Sequence, residues 1–566
     1  MRIGFIKLLF LLLLFGIMTR LFYWQVVRAD ELKAMAEGQH FENLQIPATR
    51  GDIKTSDGFS LATSRPNFLL YALPKTLTEQ EKKDLATILA KLLSLGEKEY
   101  EETLKKEFSE KIAQNLYWVS LVKSLNFDMK NRINSLKLKG IGFSETSSRF
   151  YPEGSSSAQL LGFVGSNQRG EDTGYFGLEG FYNGELKGVA GNIRQERDAL
   201  GLPIIFGQLL GTFKKDGKGL QTNIDRSVQF IVEQTLKRDV EKYGAKAASA
   251  IVMDPETGAI LAMASYPSYD PANFTKYPKE YYRNPVVADS YEPGSTFKVL
   301  VMAAAINEDL VEPDTKCDNC SGPISLGGFN IRTWNNQYKD SITMTETIIH
   351  SDNTGMVFAG KKLGIDKLYS YLENFGMGSN TNIDLQDESS ADMRPKKEWK
   401  EIDLATASFG QGILVTPIQM IRAVATIANG GKLVEPQIAK IIEGDNSNFE
   451  IKPKVVREVI RSDTAKILTE MMVKAVDEGE AKFAKPKGFK IAGKTGTAQI
   501  PIAGHYDANK TIASFVGFAP ADNPKFIMLV RFDQPSSSIF GAETAAPTFF
   551  TIAKQLFTYF KITPSE

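Results

Sequence analysis

The chain has 566 residues, of which 42% are hydrophobic and 24% are charged. This length exceeds what a single hydrophobic core serves, and the composition is that of globular protein, which argues against wholesale disorder. The 67 Lys and Arg residues balance the 67 Asp and Glu residues, so the chain lacks the basic excess that is typical of nucleic-acid-binding proteins. We therefore expect several globular domains and no nucleic-acid partner.

The first residues differ from the rest because they contain a long apolar run. Leu8 to Met18 is free of charge, and neighbouring apolar residues extend the segment to about 20 residues, enough to span the hydrocarbon core of a bilayer. A cleaved signal peptide is the alternative, but the A-x-A sequence at 34–36 lies far beyond the leucine-rich part. We predict that 1–28 is a cytoplasmic tail and an uncleaved transmembrane anchor in the cytoplasmic membrane, with the remaining chain outside the cytoplasm.

Residues 29–215 mix strand-like and loop-forming segments. Ser56-Asp57-Gly58 is a hairpin signal between two such segments. From about 76 to 140 the sequence is instead highly charged, with apolar residues at helical spacing and Thr78 as a candidate N-cap. We predict one elongated non-catalytic domain over 29–215 with a helical insertion at about 76–140.

Residues 216–566 begin with strands, continue with mainly helical sequence and end with further strands. A long helix is predicted over 222–245, with Asp225 as its cap, and a hairpin over 249–267. Later elements are strands at 489–500, 511–520 and 525–535 and a closing helix at 546–560. This order predicts an antiparallel sheet flanked by helices, in the α+β class.

The two cysteines, Cys317 and Cys320, form a C-x-x-C pair. A zinc site would need further ligands, and the histidines at 40, 350 and 505 are scattered. A loop disulfide, two free thiols and a metal site are the alternatives, in that order of preference. We predict neither a metal nor a cofactor.

Three short motifs follow one another within residues 216–566. In chain order they are Ser295-Thr-Phe-Lys298, Ser351-Asp-Asn353 and Lys494-Thr-Gly496-Thr497. Each alone has an ordinary explanation, namely a helix start, an N-cap cluster and a strand edge. Their occurrence together, each in a fitting context, predicts one catalytic cleft.

The first motif pairs a hydroxyl with an amine. A helix places Ser295 and Lys298 on one face, roughly 5–6 Å apart between β-carbons. A serine needs a base to become a nucleophile, and Lys298 serves if burial and the charge of Lys494 lower its pKa far below the ordinary ~10.4. The histidines show no triad pattern, and no G-x-S-x-G elbow occurs. We expect Ser295 to be the nucleophile and Lys298 its base.

Backbone amides near the first and third motifs are candidates for an oxyanion hole. The N–H of Ser295, at a helix N-terminus, and that of Thr497, on a strand, are predicted to bind the developing oxyanion. Gly496 lets the backbone of a substrate approach closely.

The other motif residues carry groups suited to binding a peptide. Ser351 and Asn353 are expected to relay a proton and to hold a substrate amide. Lys494 and Thr495 are expected to bind the terminal carboxylate of the substrate.

The segments EPGSTFK, SDNTG and GKTGTAQ resemble the active site of penicillin-binding proteins. The likeness continues in other segments, which resemble class B penicillin-binding proteins, the single-anchor transpeptidases of cell-wall synthesis: ATRGDIKTSDGFSLA, RFYPEGSSSAQLLGFVG, GLEGFYN, TNIDRSVQ and ASFGQGILVTPIQM. It covers nearly the whole chain after residue 45 and is weakest over 76–140. RGDIKTSDG departs from the Asp-Arg-Asn-Gly-like turn of the family, whereas YEPGSTFK and the serine-initiated S-x-N-x-G are more similar to the division branch than to the elongation branch.

The resemblance implies a fold and a reaction. It implies a pedestal of the dimerisation type over 29–215 and, over 216–566, a β-lactamase-like transpeptidase domain with a five-stranded antiparallel sheet. Ser295 would attack the penultimate D-alanine carbonyl of a peptidoglycan stem peptide, terminal D-alanine would leave, and an amine of a neighbouring stem would take the acyl group. A β-lactam would acylate Ser295 in place of the D-Ala-D-Ala donor.

The resemblance also implies partners. These are a glycosyltransferase of the SEDS family, contacted through anchor and pedestal, and other membrane proteins of the division machinery. Because no glycosyltransferase segment is expected in this chain, strand polymerisation would come from another protein. The alternatives are a D,D-carboxypeptidase, a β-lactam-hydrolysing or β-lactam-sensing relative, and a non-catalytic scaffold for wall-synthesis proteins.

Overall fold

The apolar N-terminus forms one long helix in a computed structural model of the chain, which describes residues 2–114, 116–196, 209–445, 447–502 and 505–564. The α-helix Arg2–Phe22 continues through a π-helical turn, Tyr23–Val27. Within the described part of the chain, Ile3–Val27 is the one helix long and apolar enough to cross a membrane. Residues 197–208, which belong to the predicted pedestal, lie outside the described residues.

The chain divides into two units, each made of separate segments. The first consists of Met1–Arg50, Pro66–Ser147 and Gly188–Gly217. After the helix Ala29–His40 it contains a three-stranded antiparallel sheet. The middle strand is Gly191–Glu196, which pairs with Phe41–Ile46 on one side and with Leu209–Thr212 on the other.

The predicted helical insertion contains three helices and one strand. In chain order these are Glu79–Leu93, Lys98–Ile112, the strand Val119–Leu125, and Phe127–Ser135. Thr78 caps the first helix as predicted, since its N–H donates to the Glu81 carboxylate at 2.8 Å and its hydroxyl accepts from the Glu81 N–H. The strand was not predicted, because charged helical sequence surrounds a short alternation that buries Val119 and Leu121.

The second unit consists of Gly51–Arg65, Ser148–Lys187 and Lys218–Glu566. It starts with the predicted hairpin, in which Ile53–Lys54 pairs antiparallel with the beginning of Ser60–Ala72. Its smaller helices, 3-10 turns and strands are Ala158–Leu161, Phe163–Ser166, Asp172–Tyr175, Gly177–Phe181, Asn183–Lys187, Gly219–Thr222, Pro271–Lys276, Lys279–Tyr281, Pro285–Ala288, Ile324–Leu326, Phe329–Ile331, Lys396–Glu398, Lys432–Val434, Ala439–Glu443, Asn448–Glu450, Val455–Glu458 and Lys482–Ala484.

A five-stranded antiparallel sheet forms the centre of the second unit, which confirms the predicted fold class. From one edge to the other its strands are Ile260–Tyr266, Ala247–Met253, Phe526–Asp533, His505–Ala519 and Ala492–Ile502. The first two form the predicted hairpin, and the strand that carries the third motif is an edge strand. An edge strand leaves part of its backbone free to pair with an added chain.

Helices cover both faces of this sheet. Along Phe526–Asp533, Met528 and Val530 pack into one core while Ile527 and Leu529 pack into the other, because successive strand residues point to opposite faces. Arg226–Tyr243, which Asp225 caps as predicted, and Ala545–Tyr559 cover the first face. The helices of the second face are Lys298–Asn307, Met344–Ile349, Asn353–Asn374, Glu401–Ala407, Pro417–Ala428 and Ser462–Glu478.

Cys317 and Cys320 are joined in a disulfide, with 5.8 Å between their α-carbons. Both are buried, and the Cys317 N–H donates to the Ile342 carbonyl at 2.9 Å. The first of the three alternatives for this pair, a loop disulfide, therefore holds in the structure.

Candidate active site

Ser295 and Lys298 lie where a 3-10 turn, Gly294–Phe297, runs into the helix Lys298–Asn307. The Lys298 N–H donates to the Ser295 carbonyl, so one helical turn joins the two residues. Gly294 has a φ of 55°, which glycine adopts without strain. Because the start of this helix is buried on every side, the Lys298 side chain is fully buried.

The Lys298 amine is surrounded by oxygens of the second motif. Its Nζ lies 2.5 Å from the Ser351 carbonyl oxygen, 2.7 Å from Asn353 Oδ1 and 3.3 Å from Ser351 Oγ. The half-buried Ser295 side chain makes no hydrogen bond to any described residue. The structure thus brings Lys298, Ser351 and Asn353 into direct contact, and Ser295, one helical turn away, makes no hydrogen bond to the Lys298 amine.

The second motif is a tight turn between two helices, Met344–Ile349 and Asn353–Asn374. Asp352 caps the second helix, and its carboxylate accepts the Gly355 N–H at 2.8 Å. Ser351 has a φ of 55°, a left-handed conformation that is costly for a residue with a side chain. This turn points both Ser351 and Asn353 back at Lys298.

Two buried lysines face the cleft. Burial lowers the pKa of Lys298 well below its ordinary value, and the positive charge of Lys494 lowers it further, while the charges of Asp352 and Glu480 oppose both effects. Burial also lowers the pKa of Lys494, against the charge of Glu480. The dominant cause is loss of hydration, which disfavours the charged form of an amine.

Lys494 lies on the edge strand Ala492–Ile502 and is almost fully buried. Its Nζ has only long contacts, 3.3 Å to Thr495 Oγ1 and 3.4 Å to the Thr495 carbonyl. Within the described part of the chain no carboxylate forms an ion pair with it. A buried cation without an anionic partner favours the binding of an anionic ligand group.

The third motif lies directly against the turn that carries Ser295. A β-carbon on Gly496 would lie 2.5 Å from Ser514 Oγ and 2.7 Å from Thr296 Cγ2, and one on Gly294 would lie 3.0 Å from the Thr497 carbonyl oxygen. Glycine is therefore required at these two positions for the strand and the turn to approach so closely. All three predicted motifs meet at one place.

One contact at this site had no signal in the sequence. The carbonyl of Arg332 accepts a hydrogen bond from Asn353 Nδ2 at 2.8 Å, and this fixes the amide so that Oδ1 faces Lys298. A backbone carbonyl has no side-chain signature, so residue patterns alone do not reveal it. The described residues contain no cluster of metal-ligating side chains.

The sequence and the fold both match known proteins. The family described as "Penicillin binding protein transpeptidase domain" matches residues 248–556, and "Penicillin-binding Protein dimerisation domain" matches residues 45–222. Stage V sporulation protein D of Bacillus subtilis (strain 168) is 35% identical over 553 residues, which cover 96% of this chain and 84% of that protein. Peptidoglycan D,D-transpeptidase FtsI of Escherichia coli (strain K12) is 30% identical over 549 residues, or 96% of this chain and 89% of that protein.

A solved structure agrees with these sequence matches. The crystal structure of Penicillin Binding Protein 2X from Streptococcus thermophilus superposes with a TM-score of 0.74 at 26% sequence identity, covering 92% of this chain and 80% of that chain. The transpeptidase family covers more than half of the present chain, and a dimerisation domain precedes it. This chain therefore belongs to the class B penicillin-binding proteins.

Proposed function

We propose that this protein is a peptidoglycan D,D-transpeptidase of cell-wall synthesis that cross-links stem peptides through an acyl-enzyme on Ser295. The observation that carries the proposal is the fully buried Lys298 amine, held by Ser351 and Asn353 one helical turn from Ser295. Relatives named peptidoglycan D,D-transpeptidase support the reaction class.

The contacts of Lys298 suit a neutral base. A neutral amine has two N–H bonds and one lone pair, and the two closest oxygens, the Ser351 carbonyl and Asn353 Oδ1, only accept hydrogen bonds. They take both N–H bonds, so the lone pair is left for a hydroxyl. Ser351 Oγ lies 3.3 Å from Nζ, and the lone pair would accept the proton of the Ser295 hydroxyl when a substrate is bound.

The acylation step follows from these positions. Ser295 Oγ bonds to the penultimate D-alanine carbonyl carbon while its proton passes to Lys298, and the carbonyl oxygen becomes an oxyanion. The N–H groups of Ser295 and Thr497 would stabilise that charge, a contribution on the order of 10²–10³ in rate for each donor. When the tetrahedral species collapses, the peptide C–N bond breaks and the leaving amine of D-alanine takes the proton through Ser351.

Deacylation reverses the proton route. An amine of a second stem peptide attacks the ester carbon, its proton passes to Lys298, and Ser295 leaves as the hydroxyl. Until the donor's terminal D-alanine leaves, Lys494 and Thr495 hold its carboxylate, and Asn353 orients the substrate amide. A β-lactam, which carries a carboxylate beside a reactive amide, acylates Ser295 in the same way.

The test is the intact mass of the full-length protein after incubation with penicillin. We expect an adduct equal to the mass of the added penicillin on the wild-type protein and no adduct on Ser295→Ala. An adduct that survives in Ser295→Ala would assign the nucleophile elsewhere. Rapid loss of the adduct by hydrolysis would instead indicate a β-lactamase.

The proposal extends to the arrangement of the chain. Residues 1–28 anchor the protein once in the cytoplasmic membrane, 29–215 form the pedestal, and 216–566 form the transpeptidase domain outside the cytoplasm. The helix Ile3–Val27 supports the anchor. Protease added to intact spheroplasts should remove the catalytic domain, whereas a cytoplasmic domain would be protected.

The partners of the proposed enzyme are a SEDS-family glycosyltransferase and membrane proteins of the division machinery. The relative named FtsI and the likeness of the motifs to the division branch support a septal role. Co-purification from detergent-solubilised membranes tests this assignment, with a variant whose residues 1–28 are replaced by an unrelated span as the control. Loss of the glycosyltransferase from that variant is expected if the anchor contributes to the contact.

A further inference from the structure

We propose that Trp334 is a positioning residue that holds the Ser351–Asn353 turn in its reactive shape and, through Phe540, fixes this turn relative to the strand of Lys494 and Thr497. The inference deepens the proposed function and rests on it, because it concerns the rate at which Ser295 is acylated. Neither aromatic residue belongs to the three motifs.

The segment that follows the strand Phe329–Ile331 contacts the second motif at two points. The Arg332 carbonyl accepts from Asn353 Nδ2 at 2.8 Å, and the Trp334 indole Nε1 donates to the His350 carbonyl at 3.4 Å. On either side of Arg332, Ile331 and Thr333 are buried. This segment is therefore anchored in the core and reaches the motif with one acceptor and one donor.

The hydrogen bond to His350 acts where the turn is strained. The His350 carbonyl belongs to the same planar peptide unit as the Ser351 N–H. The φ of Ser351 is the torsion about its N–Cα bond, which starts from that plane, and its value of 55° is left-handed. A donor that restrains the plane therefore helps to hold Ser351 in a conformation that a non-glycine residue does not favour by itself.

The ring of Trp334 also contacts Phe540, on the side of the cleft that carries Thr497. Its ring and that of Phe540 pack edge to face, with centroids 5.8 Å apart and an interplanar angle of 67°. Phe540 precedes Gly541, whose N–H donates to Thr497 Oγ1 at 3.0 Å. The ring contact therefore links the wall that carries Ser351 to the wall that carries Thr497.

Both rings remain partly open to solvent, with exposed fractions of 53% for Trp334 and 38% for Phe540. Exposed rings at a cleft would also serve as an apolar contact for a ligand, and kinetics separate the two roles. A positioning residue changes the rate constant of acylation, because the reacting groups lose their alignment. A ligand contact changes the dissociation constant of the noncovalent complex and leaves that rate constant unaltered.

The test uses the full-length protein in detergent and stopped-flow acylation by a fluorescent penicillin, with rates expressed per titratable active site. Trp334→Phe keeps a ring and removes the indole N–H. We expect its acylation rate constant to fall roughly tenfold. The matched control is Trp118→Phe, the same change at a tryptophan of similar exposure (49%) outside the second unit, and it should acylate like the wild type.

The ring contact is tested separately with Phe540→Leu and the double variant. If the two rings act together, Phe540→Leu also lowers the acylation rate constant. The variant with both Trp334→Phe and Phe540→Leu then shows a smaller fold-decrease than the product of the two single fold-decreases. A product of independent effects would overturn the part assigned to the ring contact. A Trp334→Phe rate constant equal to that of the wild type overturns the whole proposal, whatever the dissociation constant. A wild-type protein that is not acylated would contradict the proposed function itself.

Discussion

The Nζ of Lys298 lies 2.7 Å from Oδ1 of Asn353, and the Arg332 carbonyl holds the amide of that asparagine in the matching orientation. Asn353 Oδ1, which only accepts hydrogen bonds, thus faces the Lys298 amine, and burial lowers the pKa of that amine. These contacts commit N–H bonds of the amine to oxygen acceptors, and with the lowered pKa they support the proposal that Lys298 is the base for Ser295.

Lys298→Arg should abolish this function while keeping a positive charge. A guanidinium stays protonated at any physiological pH, so it has no lone pair to accept a proton. We expect acylation by penicillin to slow on the order of 10²–10⁴-fold, measured per folded protein by intact mass over time. The control is Lys361→Arg, at an exposed position of the helix Asn353–Asn374. Comparable acylation of Lys298→Arg and the control would exclude Lys298 as the base.

Lys494 should set the pH at which Lys298 works. The charge of Lys494 lowers the pKa of Lys298, and a base acts only above its own pKa, so the acylation rate rises with pH through that value. Lys494→Ala removes the charge and should raise the pKa of Lys298 toward the ordinary ~10.4, moving the rising limb of the profile to higher pH. Lys494→Arg keeps the charge and should leave the limb in place. The measurement is the acylation rate constant at saturating β-lactam across pH. A rising limb at the same pH in Lys494→Ala as in the wild type would contradict this coupling.

The sequence was enough to predict the parts of this site that depend on residue type. A single helical turn joins Ser295 and Lys298, and the strand predicted at 489–500 overlaps the observed strand Ala492–Ile502, which carries Lys494. Contacts made by the backbone were not predictable. The Arg332 carbonyl accepts a hydrogen bond from Asn353, and the identity of the residue at 332 gives no sign of it. The left-handed conformation of Ser351 was also hidden, because a serine gives no sign that its turn requires a positive φ.

Long-range aromatic contacts show the same limit. Trp334 and Phe540 are far apart in the chain, and each alone is an exposed ring in a loop. Sequence periodicity describes what an element buries, and it carries no information about which two loops meet across a cleft. The strand Val119–Leu125 was missed for a related reason, since helical sequence on both sides obscured its short alternation.

Gly496→Ala should separate the third motif from the turn of Ser295. The added methyl group would lie 2.5 Å from Ser514 Oγ and 2.7 Å from Thr296 Cγ2, so the strand or the turn must move. Overpacking of this kind typically lowers the free energy of unfolding by about 1–3 kcal/mol. The displacement should also slow acylation of Ser295, by roughly a hundredfold if the misplacement is near 1 Å.

The matched control for that variant is Gly184→Ala. Gly184 lies in the helix Asn183–Lys187, and a β-carbon there meets nothing within 4 Å. Alanine in a helix is favoured over glycine by roughly 0.5–1 kcal/mol, so this variant should be as stable as the wild type or slightly more so. Thermal unfolding and acylation of the two variants, measured side by side, decide the matter. Equal behaviour would show that the strand tolerates a side chain at Gly496.

The ion pair between Arg149 and Glu179 should be essential to the stability of the second unit. The Arg149 Nε lies 2.6 Å from Glu179 Oε1, the two side chains are only 4% and 0% exposed, and Arg149 also donates to the Gly51 carbonyl at 2.8 Å. Glu179→Gln leaves a buried guanidinium without its counter-charge, and removing one partner of such a pair lowers the free energy of unfolding by about 3–5 kcal/mol. Replacing both residues, as in Arg149→Met with Glu179→Leu, should lose less than Glu179→Gln, because no unpaired charge is then left in the core. Urea unfolding of the wild type, Glu179→Gln and the double variant measures the three free energies of unfolding. A double variant that is less stable than Glu179→Gln would contradict the prediction.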